Sequence, residues 1–222
     1  MSAPVKSVVV MAGGTGGHVF PALAVAEALR EKGVRIHWLG TRAGIEAELV
    51  PARQFDITYL DVSGVRGQGI ARLLLAPFKI IRAVLAAMRT LRAVQADCVI
   101  GLGGYVTGPG GVAARLLGKP LLIHEQNAVA GFTNRQLSRV ATRVLEAFPG
   151  AFPASPKVTC VGNPVRAEIA GLPHPDDRFA GRTGALRVLV MGGSQGAVAL
   201  NELVPEALSI VAKQIALDIR HQ

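Results

Sequence analysis

Short apolar runs and amphipathic runs alternate along most of the chain. Two β-branched runs open the alternation, at residues 7–11 and 34–40, and an apolar-periodic helix from about Pro21 to Lys32 is predicted between them. Pro21 suits a first helical turn, and Gly33 suits the position after a helix end. The pattern therefore predicts a strand, a helix and a second strand at the start of the chain.

The alternation continues to about residue 148. It predicts, in order, a helix at 43–52, a strand at 97–104, a helix at 111–118 and strands at 120–125 and 141–148. After Asp97, the run at 97–104 is continuously apolar, as is typical of a buried parallel strand. Strands that alternate with helices in this way predict an α/β fold with a doubly wound parallel sheet.

A proline-rich stretch interrupts the alternation between Pro149 and Gly184. After it, residues 187–222 predict one strand, one helix and the start of another strand. We therefore expect two domains, 1–162 and 163–222. Because so few elements cannot cover both faces of a doubly wound sheet, we expect the sequence to hold only the beginning of the second domain.

A long helix predicted within residues 70–94 has an apolar side and a basic side. The apolar side is expected to pack on the sheet and consists of Leu73, Leu74, Ile81, Val84, Leu85, Met88 and Leu91. The opposite side combines cations with two apolar residues, namely Arg72, Leu75, Phe78, Lys79, Arg82 and Arg89. Apolar residues among cations favour contact with an anionic membrane surface. A solvated basic face with two partly buried apolar residues is the alternative.

Composition narrows the possible functions. The chain has 222 residues, 50% of them hydrophobic, and a formal net charge of +9, which favours an anionic partner. Aromatic residues make up only 5% of the chain, which argues against a nucleic-acid-binding protein. Cys98 and Cys160 lack the spacing of a metal site and are expected to be reduced thiols. No cluster of acidic or histidine side chains predicts a metal site.

Two glycine-rich turns occur between a predicted strand and a predicted helix, at residues 13–17 and 192–196. When the turns are aligned, the hydroxyl groups of Thr15 and Ser194 fall at equivalent positions. Such a turn lets the backbone approach an anion and directs free N–H groups of the helix toward it. Tight connections without a ligand are the alternative, but two matching turns favour ligand binding.

The turns do not fit the common dinucleotide or nucleoside-triphosphate motifs. In the dinucleotide pattern, the third glycine would fall at Val19, and the second predicted strand lacks an acidic residue at its end. The lysine of a phosphate-binding loop is also missing. A sugar nucleotide is therefore the favoured ligand.

Polar side chains collect at two predicted strand ends. His18 follows the first glycine turn, and Glu125, Gln126 and Asn127 follow the apolar run that ends at His124. In parallel sheets, ligands bind at the carboxyl ends of strands, so His18 and Glu125 are rival candidates for a general base. The alternatives are a backbone contact for His18, a solvated Glu125 and helix capping by Asn127.

Five motifs occur in a fixed order along the chain, namely "GGTGGHVFPALAVAEAL", "GLGGYVTGPG", "IHEQNAVAGFTNR", "VGNPVR" and "VMGGSQGA". Together they resemble the motifs of the MurG family of bacterial glycosyltransferases. The resemblance implies a GT-B fold, in which two Rossmann-like doubly wound domains face a cleft, the second only partly present here. It also implies inverting transfer of N-acetylglucosamine from UDP-GlcNAc to lipid I, which yields lipid II for peptidoglycan, with no cofactor.

The resemblance also implies roles for individual residues. The expected catalytic residues are His18 and Glu125. The expected contacts to UDP-GlcNAc are Thr15, Gly16, Gly17, Asn127, Arg166 and Ser194. The expected contacts to the acceptor are Gly14, Gly104 and Tyr105. The expected contacts to the membrane are Arg72, Leu75, Phe78, Lys79 and Arg82.

The resemblance places the protein peripherally on the cytoplasmic face of the bacterial inner membrane. Its implied partners are UDP-GlcNAc, lipid I, the anionic membrane surface and other cell-wall synthesis and division proteins, but no nucleic acid. Residues 1–222 alone are expected to transfer no sugar. A sugar-nucleotide epimerase of the same fold and a basic nucleic-acid-binding α/β protein are the alternative functions.

Overall fold

The computed structural model describes residues 5–62, 70–192 and 197–222, with only the helical backbone given for 70–76. The chain forms two compact units, Met1–Ala170 and Gly171–Gln222. The predicted division of function between residues 1–162 and 163–222 stays a prediction.

The first unit is built on a parallel sheet in the order β3-β2-β1-β4-β5-β6-β7. Its strands are β1 (Ser7–Ala12), β2 (Arg35–Gly40), β3 (Asp56–Tyr59), β4 (Cys98–Gly103), β5 (Leu121–Glu125), β6 (Arg143–Glu146) and β7 (Val158–Cys160). Its helices are α1 (Gly16–Glu31), α2 (Glu46–Ala52), α3 (Ile70–Ala93), α4 (Thr107–Leu116), α5 (Phe132–Leu137) and α6 (Ala167–Ala170). The order reverses on either side of β1, which confirms the predicted doubly wound sheet.

Both faces of the sheet are covered. Val8 and Val10 of β1 pack in one apolar cluster with Leu23 of α1, and Val9 and Met11 pack in a second cluster on the other face. Because side chains alternate along a strand, a strand buried on both faces must be apolar throughout. This requirement explains the continuous apolar runs in the sequence.

Helix α1 begins earlier than the sequence predicted. The carbonyl of Thr15 accepts hydrogen bonds from the N–H groups of His18 and Val19, both at 3.2 Å, so the first turn starts at Gly16. Pro21 therefore lies inside the helix, and the prediction of a start at Pro21 was wrong. The consequence for the site is that His18 belongs to the first helical turn.

Helix α3 is turned differently from the prediction. Ala83, Ala87 and Leu91 form its buried stripe, whereas Ile81 and Leu85 are 56% and 46% exposed, so placing the latter two on the sheet was wrong. Small alanine side chains allow α3 to approach the glycine-rich helix α4 closely. The predicted packing of Val84 and Met88 against the core is confirmed, whereas the side chains of Leu73 and Leu74 lie outside the described residues.

The second unit contains a parallel strand pair joined by a helix. Its elements are α7 (Pro175–Phe179), β8 (Leu186–Val190), α8 (Val198–Val211) and β9 (Leu217–His221). The predicted succession of strand, helix and strand is confirmed. Its apolar residues are covered unevenly, since Val190 is buried and Leu203 is 65% exposed.

The proline-rich stretch and the two cysteines can also be compared with the sequence predictions. Strand β7 lies within the proline-rich stretch, where no strand was predicted. Cys98 and Cys160 are free thiols, as expected. In the part of the chain that the structure describes, every helix is too short or too polar to cross a membrane.

Candidate active site

Several of the predicted site residues lie together at the carboxyl edge of the first sheet. Strands β1, β4 and β5 are neighbours there, and the loops that follow them begin at Gly13, Gly104 and Gln126. Ligands of α/β proteins characteristically bind at this edge, near the point where the strand order reverses. Three loops that are distant in sequence thus form one surface.

The loop after β1 is held from below by a buried carboxylate. The N–H of Gly14, whose φ is +93°, donates to Glu46 Oε2 at 2.9 Å. Glu46 Oε1 accepts from both the N–H and the hydroxyl of Thr41, at 2.8 and 2.7 Å. Glu46 is fully buried, so it links the end of β2 to the glycine loop. The local sequence pattern gave no indication of a role for Glu46.

The loop leads into an uncapped helix terminus. Thr15 is the N-cap residue of α1, but its side chain makes no capping hydrogen bond within the described residues. Thr15 and Gly17 are exposed, and Gly16 is half-buried. The first-turn N–H groups of a helix lack intrahelical partners and carry partial positive charge, so this terminus can receive an anion.

The loop after β4 packs tightly against the first loop. Gly103 and Gly104 have φ angles of +121° and +86°, which favour glycine. A Cβ at Gly104 would lie 2.3 Å from the carbonyl oxygen of Gly13, and a Cβ at Gly103 would lie 2.6 Å from His18 Nδ1. The imidazole of His18 therefore rests directly on this turn. Tyr105, which follows it, is 61% exposed.

His18 is hydrogen-bonded to the end of β5. Its Nδ1 lies 3.0 Å from Gln126 Oε1. Gln126 Nε2 in turn lies 3.0 Å from Nδ1 of His124, and His124 Nε2 lies 3.0 Å from the carbonyl oxygen of Gly162. Burial lowers the pKa of His124 below its ordinary value, although the Gly162 carbonyl and nearby Glu125 act in the opposite direction.

Glu125 lies beneath the loop rather than at its surface. It is 1% exposed. Its Oε1 accepts from the backbone N–H and side-chain amide of Asn127, at 3.1 and 2.9 Å. Its Oε2 accepts from the Gly131 N–H and the Asn134 side-chain amide, both at 3.0 Å. Because a carboxylate offers about four acceptor positions, this one is fully engaged and orders the loop after β5.

Arg166 lies near the first turn of α1. Its guanidinium is 5.0 Å from the ring centroid of Phe20 and stacks on that ring. The ring also lies against the turn, since a Cβ at Gly16 would be 3.0 Å from it. A fixed cation therefore lies close to the helix terminus. Arg166 was predicted from its motif, whereas Phe20 was not among the predicted site residues.

Two further residues, Asn127 and Ser194, were predicted to contact UDP-GlcNAc. Asn127 is exposed, and its side chain donates to Glu125. Ser194 lies outside the described residues. Among residues 5–62, 70–192 and 197–222, no group of three or more histidine, cysteine or acidic side chains has metal-binding geometry.

A separate face of α3 combines apolar and basic side chains. Phe78 and Ile81 are 69% and 56% exposed, and Lys79, Arg82 and Arg89 are exposed beside them. A pocket of about 300 Å³ lies next to these cations. The side chains of Arg72 and Leu75, which were predicted on the same face, lie outside the described residues.

Curated relatives of similar sequence share one printed name, UDP-N-acetylglucosamine–N-acetylmuramyl-(pentapeptide) pyrophosphoryl-undecaprenol N-acetylglucosamine transferase. The relative from Vibrio cholerae is 55% identical over 217 residues, which cover 98% of this chain and 60% of the relative. The relative from Marinobacter nauticus is 52% identical over 219 residues, which cover 99% of this chain and 60% of the relative. The chain thus spans about 60% of the length of these relatives.

Solved structures confirm the fold. MurG from Acinetobacter baumannii is 51% identical with a TM-score of 0.80, and the match covers 98% of this chain and 60% of that one. A UDP-GlcNAc 2-epimerase from Methanocaldococcus jannaschii has a TM-score of 0.63 at 13% identity, covering 98% of this chain and 65% of that one, and shows likeness of fold alone. These matches confirm the GT-B class and the resemblance to the MurG family.

A family model also matches a large part of the first unit. The model is that of the glycosyltransferase family 28 N-terminal domain, and it matches residues 8–146. The matched range runs from β1 to β6 and includes the loops that carry His18, Gly104 and Gln126. The chain therefore belongs to the glycosyltransferase family 28 N-terminal domain family.

Proposed function

We propose that the protein carrying this chain transfers N-acetylglucosamine from UDP-GlcNAc to lipid I and so forms lipid II. The observation that carries the proposal is the identity of 52–55% with relatives of that name over nearly the whole chain, all loops of the candidate site included. The epimerase alternative rests on a likeness of fold at 13% identity, and no observation favours it or the nucleic-acid alternative.

In this proposal His18 is the general base. Its Nδ1 is engaged by Gln126, whereas its Nε2 makes no hydrogen bond among the described residues. Nε2 takes the proton of the acceptor hydroxyl while the hydroxyl oxygen bonds to the anomeric carbon. The bond between that carbon and the diphosphate breaks, UDP leaves, and the anomeric configuration is inverted. A positioned base of this kind raises the reaction rate by a factor of about 10²–10⁴.

Glu125 has a different role in this proposal. Its four hydrogen bonds leave no acceptor position free for a substrate proton, and it is 1% exposed. It therefore fixes the loop that presents Gln126 and Asn127. Of the two rival bases, the geometry favours His18.

The uncapped terminus of α1 binds the donor diphosphate in this proposal. The N–H groups of Gly16 and Gly17, the hydroxyl of Thr15 and the guanidinium of Arg166 supply positive potential where the leaving group gains negative charge. Asn127 and Ser194 are further proposed contacts to the sugar nucleotide. Three residues are proposed to contact the acceptor, namely Gly14, Gly104 and Tyr105.

We further propose that the basic and apolar face of α3 docks on the cytoplasmic surface of the inner membrane. A lipid-linked acceptor requires the enzyme to reach the bilayer surface. Phe78 and Ile81 can enter the headgroup region while Lys79, Arg82 and Arg89 contact anionic lipids. Each cation near such a surface contributes about 1 kcal/mol.

The transfer proposal is tested with the complete product of the gene that encodes these residues. Radiolabelled UDP-GlcNAc is incubated with and without a lipid I analogue. We expect a labelled, lipid-linked disaccharide only when the analogue is present. An epimerase would instead alter the labelled sugar without any lipid, and that outcome would contradict the proposal.

The membrane proposal is tested by co-sedimentation with lipid vesicles. We expect binding to anionic vesicles to exceed binding to neutral ones, to fall as salt rises, and to weaken in the Phe78→Ser/Ile81→Ser variant. Val5→Ser is the matched control, because Val5 is 49% exposed and precedes β1, outside both α3 and its neighbour α4. Equal binding to both vesicle types, or equal loss in the control, would refute docking through α3.

A further inference from the structure

A chain of hydrogen bonds connects His18 to the backbone beyond β7. It runs from His18 Nδ1 to Gln126 Oε1, from Gln126 Nε2 to His124 Nδ1, and from His124 Nε2 to the carbonyl oxygen of Gly162, with each step at 3.0 Å. Gln126 and His124 are 7% and 3% exposed. Water therefore has little access to the inner part of this chain.

The Gly162 carbonyl sets the hydrogen position on His124. A carbonyl oxygen can only accept, so Nε2 of His124 must carry the hydrogen in this contact. Burial lowers the pKa of His124 and favours its neutral form. A neutral imidazole carries one ring hydrogen, so Nδ1 of His124 is an acceptor.

The orientation of the Gln126 amide follows from two acceptors. Its nitrogen faces His124 Nδ1 and also donates to the backbone carbonyl of His124 at 3.1 Å. Both contacts require the NH₂ group on that side, so the amide oxygen must face His18. An amide oxygen can only accept, and Nδ1 of His18 must therefore carry a hydrogen.

We infer that Gln126 and His124 are positioning residues that fix His18 in the tautomer with Nδ1 protonated and Nε2 free to accept. A free imidazole populates both neutral tautomers, and only the one with a bare Nε2 can take a proton from a substrate placed on that side. The assignment of the tautomer rests on the hydrogen bonds, and the neutral form of His124 supports it. Its catalytic consequence rests on the proposed function of His18.

Nitrogen NMR tests the tautomer directly. The complete gene product is labelled with ¹⁵N-histidine, and long-range ¹H–¹⁵N correlations distinguish protonated from bare ring nitrogens. The His18 signals are identified by their loss in His18→Gln. We expect Nδ1 to be protonated and Nε2 to be bare in the neutral imidazole of His18. A protonated Nε2 with a bare Nδ1 would overturn the inference, whether or not a Gln126 variant folds.

Substitutions of Gln126 show what sets the tautomer. Gln126→Met removes the acceptor at similar size, so we expect His18 to populate both tautomers. Gln214→Met, at an exposed glutamine of the second unit, is the matched control and should change nothing. An unchanged tautomer in Gln126→Met would overturn the positioning role.

Kinetics separate this inference from the proposed function. We expect Gln126→Met to lower kcat by at least about tenfold with an unchanged KM for UDP-GlcNAc, and by no more than the ~10²–10⁴ expected for loss of the base itself. If the tautomer mixes in Gln126→Met but kcat stays normal, the tautomer assignment holds and the role of His18 as base fails.

Discussion

Replacing Glu125 by glutamine distinguishes an ordering residue from a catalytic one. Glutamine has nearly the same shape, but its amide nitrogen is a donor where the carboxylate has an acceptor. Each carboxylate oxygen accepts two hydrogen bonds, one pair from Asn127 and the other from Gly131 and Asn134. In either orientation, the new NH₂ group therefore faces two donors, and two hydrogen bonds to a charged group are lost.

The magnitude follows from those two bonds. Hydrogen bonds to charged groups contribute about 1.5–3 kcal/mol each, so the lost pair is worth ~3–6 kcal/mol. The new amide is expected to turn its nitrogen toward Asn127 rather than toward Gly131 and Asn134. Because Asn127 is exposed, water replaces part of the hydrogen bonding that is lost there. We therefore expect a decrease near the lower end, ~3 kcal/mol, against a typical total stability of about 5–15 kcal/mol.

Urea unfolding measures this decrease. Trp38 is the one tryptophan of the 222-residue sequence and is fully buried, so its fluorescence reports unfolding of the first unit. With a slope of about 1–3 kcal/mol per molar, ~3 kcal/mol lowers the urea midpoint by ~1–3 M. The control is Glu48→Gln, at an exposed position of α2, which should change stability by less than about 0.5 kcal/mol. If Glu125→Gln unfolds like the original protein but loses turnover, Glu125 is a catalytic base and the ordering role is wrong.

Three further predictions address the neighbouring contacts. Gly103→Ala should lower kcat at least about tenfold, because the new Cβ would lie 2.6 Å from His18 Nδ1 and displace the imidazole. A normal kcat would show that catalysis does not require the imidazole to lie against Gly103. In Glu46→Gln the new amide loses least if its nitrogen faces Gly14, where only one hydrogen bond to the carboxylate is lost. We therefore expect stability to fall by ~1.5–3 kcal/mol and the calorimetric Tm to fall by about 3–12 °C. An unchanged Tm would contradict this. Burial puts the folded-state pKa of His124 below its unfolded value of ~6.5. The neutral imidazole therefore contributes its full stability above pH ~6.5, and this contribution is lost as the pH falls through the folded-state pKa. As the pH is lowered, the urea midpoint of His124→Gln should therefore fall less steeply than that of the original protein. The same dependence of the midpoint on pH in both proteins would refute the contribution of His124.

The order of the main elements could be predicted because β1, β4 and the first three residues of β5 form continuous apolar runs. The start of α1 could not, since two glycines and a histidine are poor helix formers. Tertiary contacts override this weak preference: Glu46 holds the loop before the helix, and Gly104 packs against it. Strand β7 was missed because three residues between prolines give little periodicity.

The orientation of α3 shows a second limit of sequence analysis. The strongest apolar residues suggested that Ile81 and Leu85 face the sheet, but the helix packs through Ala83 and Ala87. Close approach to a glycine-rich neighbour favours small side chains over large ones. The identity of that neighbour is a property of the fold and is not visible in the helix itself.

Candidate site residues at strand ends could be predicted because the edge of a parallel sheet is a general location for ligands. Their partners could not. Glu46 comes from α2, Phe20 stacks under Arg166, and Gln126 reaches His18 across 108 positions of sequence. These contacts depend on which strands are neighbours, and a local pattern carries no information on that.

The claim that His18 is the base of N-acetylglucosamine transfer is tested most directly by steady-state kinetics of His18→Gln. The complete gene product is assayed with UDP-GlcNAc and a lipid I analogue, and His174→Gln, at an exposed histidine of the second unit, is the control. We predict that kcat falls by about 10²–10⁴ in His18→Gln while the KM for UDP-GlcNAc stays nearly constant, and that the control is unaffected. A kcat for His18→Gln close to that of the original protein would contradict the claim.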